Sequence, residues 1–83
     1  MTLEELKAAL RLILQEEQKA EVNWVNVEAM CLNVVTRLNT EPEPKYSHDA
    51  VYHFVEDADV RQKDEGYAER QRARLSDWLE AHP

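Results

Sequence analysis

The residues best suited to holding a metal ion are His48, His53, Asp57 and Asp59, which lie close together in the chain. On a helix, His48 and His53 are separated by about 500° of rotation, so they point to different sides. His53 and Asp57 share a face at i, i+4, but two ligands fall short of the three or four that a metal centre needs. A surface ion pair is the expectation, and no metal or cofactor is assigned.

Nucleophilic and acid–base chemistry fare no better. Cys31 is the one cysteine, and no histidine or basic residue near it in sequence would lower its pKa toward a reactive thiolate. Its place on an apolar helical stripe predicts a buried thiol that packs as a small apolar group. Paired carboxylates occur at Glu4/Glu5, Glu16/Glu17, Glu56/Asp57 and Asp64/Glu65. General acid–base work needs a carboxyl with a raised pKa in a walled pocket, and a helical chain of this size has little volume for one. Gly66 is the only glycine, so no glycine-rich loop can cradle a phosphate. The expected function class is therefore non-enzymatic.

The elements that must position these residues all carry the helical period. Thr2 and Glu5 form a capping-box pair ahead of Leu3, Leu6, Leu10, Ile13 and Leu14, which predicts a helix over 3–19 with Leu12 widening the apolar face. Asn23 and Asn26 are both competent N-caps. They precede Val27, Met30, Cys31, Val34, Val35 and Leu38, an amphipathic series that predicts a helix over 24–39. Strand alternation fails there, because Val34 adjoins Val35 and Met30 adjoins Cys31.

The segment Glu41-Pro42-Glu43-Pro44 marks a proline-rich linker at 40–46, since each proline drives the residue before it toward extended geometry. Ser47 is placed to cap a helix over 48–57, with Tyr46 stapled to Val51 and with Val51, Phe54, Val55 and Ala58 buried. Asp59 with Gln62 resembles a further capping start for a helix over 60–80, carrying Tyr67, Gln71, Leu75, Trp78 and Leu79 on one face. Gly66 lies inside that helix, where it is either tolerated at a cost of about 1 kcal/mol or marks a break. The fold class is all-α, a small three- to four-helix bundle forming a single helical domain over 1–83.

With 83 residues and a net charge of −7, the chain buries only about 60–65% of its unfolded surface and has a thin core. Residues 1–60 carry the whole of the net charge, twelve acids against five Lys or Arg, whereas residues 61–83 balance five against five. This acidity argues against direct nucleic-acid binding by phosphate neutralisation and against an anionic membrane surface. No apolar run approaches the length of a membrane span. The acidic start Met1-Thr2-Leu3-Glu4-Glu5 gives no expectation of a signal peptide. A lone cysteine suits a reducing cytoplasm. A helix-turn-helix reader drawn from the third and fourth helices fails, because Glu56, Asp57 and Asp59 would face the phosphates.

The candidate partner-binding residues are Glu16, Glu17, Glu21, Trp24, Arg70 and Arg74. The three glutamates fall at the C-terminal end of the first helix, where acids oppose the macrodipole. They await a basic partner or the arginines at 70, 72 and 74, or they reflect neutral drift. Arg70 and Arg74 are i, i+4 neighbours that form a solvated face or a docking stripe. Trp24 sits at a helix start and is the better interface anchor of the two tryptophans.

The expected function is a protein–protein interaction module or accessory subunit, with a protein partner or with self-association as a homodimer to supplement the core. The alternative is an acidic inhibitor, of the phage-encoded or anti-CRISPR kind, that occupies a basic nucleic-acid-binding site on another protein.

Overall fold

Thr2 opens the first helix. Its hydroxyl accepts from the Glu5 amide at 3.1 Å, and the Glu5 carboxylate accepts from the Thr2 amide at 3.0 Å, so two of the donors left over at a helix start are satisfied reciprocally. The computed structural model describes residues 1–40 and 49–82, and from this cap α1 runs Leu3–Glu17. Four more helices follow: α2 (Trp24–Thr40), α3 (Asp49–Glu56), α4 (Ala58–Lys63) and α5 (Glu65–Ala81). There is no strand among the described residues.

The apolar stripes read from the sequence meet in one core. Leu6, Leu10, Ile13 and Leu14 of α1 pack with Val27, Cys31, Val34 and Leu38 of α2, Val51, Phe54 and Val55 of α3, and Leu75, Trp78 and Leu79 of α5. Burying each large side chain of this kind contributes about 1.5–3 kcal/mol. Helix α2 is the central member and packs on α1, α3 and α4, while α5 closes against α3 and α4. The radius of gyration is 12.0 Å, close to the roughly 12 Å expected for a globular chain of this length.

Several local expectations are corrected. Leu12 is 56% exposed and does not widen the buried face of α1. The expected helix over 60–80 is two helices, and the break falls at Asp64 rather than at Gly66. Asp64 is extended (φ −136°, ψ 101°), and its carboxylate accepts from the Tyr67 amide at 3.0 Å, so it terminates α4 and caps α5 in one residue. Gly66 is an ordinary helical residue in the first turn of α5. Asp59 is not a cap: α4 begins at Ala58 behind Asp57, which makes no side-chain capping bond. The linker residues 41–46, the Ser47 cap, the Tyr46 staple and His48 lie outside the described residues.

Candidate functional site

The centre of the molecule is a charge. Ala58 and Arg61 are three positions apart on the short helix α4 and both turn inward, which carries the Arg61 guanidinium into the core. Its Nε donates to both carboxylate oxygens of Glu17, at 3.0 and 3.2 Å, and its Nη2 donates to Glu17 Oε2 at 3.0 Å. Neither side chain is exposed. Nη1 donates to Gln71 Oε1 at 2.9 Å and to the Phe54 carbonyl, and Nη2 also reaches Cys31 Sγ at 3.8 Å. The guanidinium lies 3.7 Å over the Phe54 ring. All five N–H donors of an arginine therefore have partners, and the partners come from the four other helices. Such full satisfaction is what allows an ion pair to survive burial, because each charge removed from water costs several kcal/mol.

The network continues outward through α5. Arg72 Nε donates to Glu17 Oε1 at 3.2 Å, and its Nη1 donates to Glu65 at 3.0 Å. The Gln71 amide donates to the His53 carbonyl, to Asp57 Oδ2 and to the Tyr67 hydroxyl at 3.0–3.1 Å. The Tyr67 hydroxyl donates to Asp57 Oδ2 at 2.6 Å, and that bond pushes the phenol pKa up.

The three glutamates of the α1 terminus have separate fates. Glu17 meets Arg61 and Arg72 in the buried network. Glu16 accepts from Lys19 Nζ at 3.1 Å, Asn26 Nδ2 at 3.2 Å and the Asn23 amide at 3.4 Å. The Lys19 bond is the largest cause holding its carboxyl below the usual range. An acid that opposes the dipole of α1 thus sits at the N-terminus of α2, where the dipole favours it. Asn23 caps α2 by accepting from the Asn26 amide at 3.1 Å. Glu21 is exposed between the two helices.

Trp24 is half-buried and packs on the core edge at the start of α2. Arg70 is exposed and lies 6.0 Å from the Tyr67 ring centre. Arg74 lines a recess of about 230 Å³ with Asp49, Ala50, His53, Phe54 and Gln71. Neither Arg70 nor Arg74 takes the place beside Glu17 that Arg72 fills.

On the opposite side of α3, a larger open cleft of about 430 Å³ separates α2 from the α3–α4 corner. Cys31, Leu32, Val35, Val55 and Ala58 give it apolar walls, and Glu28, Glu56 and Asp59 complete the lining. Leu32 is 66% exposed, and Val25, two turns earlier on α2, is 80% exposed. No Lys or Arg is among the described residues that line the cleft. Cys31 joins the two features, because it faces the cleft and also receives Nη2 of the buried arginine.

The titratable groups of this arrangement have distinct environments. Burial pushes the Cys31 thiol up to about 11, outweighing the nearby Arg61, and a thiol protonated at neutral pH is a poor nucleophile. Glu16 and Glu5 both have depressed carboxyl pKa values, the reverse of what a general acid requires. Among the described residues, no group of three or more His, Cys, Asp or Glu is arranged to hold a metal ion, and no helix is long and apolar enough to cross a membrane.

Sequence reasoning missed Arg61 as the partner of Glu17, although the unfavourable position of Glu17 was a signal that a cation was required. The cleft was also missed; its signal was Leu32 and Val25, which fall off the core stripe of α2. No protein-family model, curated protein or solved structure matches this chain.

Proposed function

We propose that the protein is a non-enzymatic interaction module that binds a protein partner through the cleft between α2 and the α3–α4 corner. The observation that carries this reading is Leu32, a large apolar side chain left 66% exposed at a cleft of about 430 Å³. A thin core gains from every apolar group it buries, so a leucine held in water beside an apolar recess is better explained by a partner than by folding. Exposed apolar surface rimmed by polar residues is the usual mark of a protein–protein site. The cleft adjoins the Arg61 network through Cys31, and that network ties all five helices together. The lone, buried and protonated Cys31 suits work in a reducing cytoplasm.

The acidic-inhibitor reading has less support. Two of the three acids that motivated it, Glu16 and Glu17, are taken up by internal bonds.

Site-specific photo-crosslinking in the native cell tests the proposal. A crosslinker at position 32 is expected to trap a defined partner that a crosslinker at exposed position 12, on α1, does not trap. Identical products at both positions would remove the cleft from the function.

A further inference from the structure

We infer that the occupant of the cleft is a basic amphipathic helix of another protein, whose apolar side chains enter between α2 and α4 and whose Lys or Arg side chains pair with Glu28, Glu56 and Asp59. The inference rests on the cleft being the binding site and adds the chemistry of the partner. Two observations select it. The recess is bounded by helices and walled by Cys31, Leu32, Val35, Val55 and Ala58, which suits apolar anchors spaced along one face of a docking helix. Its charged lining residues are all acids, Glu28, Glu56 and Asp59, and each is exposed.

Several carboxylates elsewhere in the chain are engaged internally. Glu5 is bound to Arg37, Glu65 to Arg72, Glu16 to Lys19 and Glu17 to Arg61. Charge of a single sign around an apolar centre steers a partner of opposite sign and rejects one of the same sign.

The same charges argue against two other occupants. A nucleic acid would bring phosphates to an acidic rim. A second copy docked by two-fold symmetry would set one acidic rim against another, because such an interface presents the same patch on both sides.

The test uses the full chain labelled with ¹⁵N and three synthetic peptides of about five helical turns. The first is an amphipathic Leu/Lys helix, the second has the same composition scrambled to destroy the apolar face, and the third is an amphipathic Leu/Gln helix. The Leu/Lys helix is expected to move the amide signals of Leu32, Val35, Val55 and Ala58. It should also bind about tenfold or more tightly than either other peptide, a margin of about 1.4 kcal/mol. The advantage over Leu/Gln should shrink as salt rises. The variant Glu28→Gln/Glu56→Gln/Asp59→Asn, with its fold checked by circular dichroism, should lose that advantage.

Equal binding of the Leu/Gln helix in the cleft would overturn the basic partner while leaving the cleft as a docking site. Equal binding of the scrambled peptide, or shifts confined to other surfaces, would reduce the effect to diffuse attraction and overturn the inference. Failure of all three peptides to bind would overturn it as well. Concentration-dependent shifts of the same amides in the protein alone would place a second copy in the cleft instead. Crosslinking at position 32 probes the cleft independently of these peptides, so loss of the basic partner and loss of the cleft are told apart.

Discussion

Arg61 of α4 and Glu17 of α1, 44 positions apart, form an ion pair from which both side chains are excluded from solvent. The pair is the hinge of the architecture, because the same guanidinium also bonds to α3 and α5 and touches the α2 thiol. Its stability consequences are asymmetric. Glu17→Leu leaves Arg61 charged in the core without its carboxylate and should destabilise the fold by about 3–5 kcal/mol in urea unfolding. Adding Arg61→Met to that variant should recover part of the loss, since a buried pair replaced by apolar groups is often nearly neutral. Strictly additive losses in the double variant would mean that the two residues are not coupled.

Cys31 sets an alkaline limit. Its thiol is raised from an ordinary value near 9 to about 11 in the folded chain, so the folded state holds this proton more tightly than the unfolded state. The associated stability is complete below pH 9 and is lost as pH rises toward 11, by about 2–3 kcal/mol at a scale of 1.36 kcal/mol per unit. Urea midpoints measured from pH 8 to 11 should fall less steeply for Cys31→Ala than for the parent. A matching slope in the two proteins would show that the thiol does not contribute. A thiol reagent at pH 8 should label Cys31 only on unfolding.

Much of this architecture is legible in the sequence, and the illegible parts have a common cause. The α1 cap is readable because Thr2 and Glu5 act over three residues, and the stripes of α1, α2 and α3 are readable because helical periodicity is local. Arg61 is unreadable in isolation. A buried charge is decided by its counter-charge, which here arrives from an element 44 residues away. The misfit of Glu17 at the end of α1 announces the need for a cation without saying which one. Asp64 was missed because the apolar period of α5 extends smoothly back toward α4, and Gly66 drew the break to itself. The cleft residues Leu32 and Val25 are single exposed apolar groups, which are common on any surface until a recess gives them a setting.

At the acid end, Glu5 should protonate well below the usual carboxylate range. The bond from the Thr2 amide, and then that from Arg37, hold its pKa down at about 2. The folded pKa lies below the unfolded one, so this contribution is present above pH 4.5 and fades as pH falls toward 2. Carboxyl chemical shifts followed by NMR should show Glu5 titrating near 2, and Glu5→Gln should flatten the acid limb of the stability curve. Titration of Glu5 near 4.5 would mean that the capping box and the Arg37 bridge do not persist in solution.

Gly66 is open to improvement. Its φ is not positive, and an added Cβ would meet only Asp64 Oδ1 at 3.5 Å and Arg70 Nη1 at 3.6 Å, ordinary contact distances. Gly66→Ala should therefore stabilise α5 by about 0.4–1 kcal/mol, through the smaller entropy of the unfolded chain. For a domain of this size that raises Tm by about 2–8 °C. A lowered Tm would show that the first turn of α5 needs the freedom of glycine.

Asp64→Ala should have the opposite sign. Losing the cap on the Tyr67 amide costs about 1 kcal/mol, and α5 should fray at its start. Hydrogen exchange should quicken first at the Tyr67 and Ala68 amides. Unchanged protection there would mean that the cap is not used.

The clamp also dictates when the chain can fold. Glu17 is synthesised 44 residues before Arg61 and 55 before Arg72. Until they arrive, closing α1 onto α2 and α3 would strand a carboxylate in a forming interior, which costs more than the early contacts return. The emerging helices are thus held apart by one residue, and α4 and α5 release them together. The bundle should remain open until α4 and α5 have emerged and then close in one cooperative step, in which they complete the interior that α1 begins.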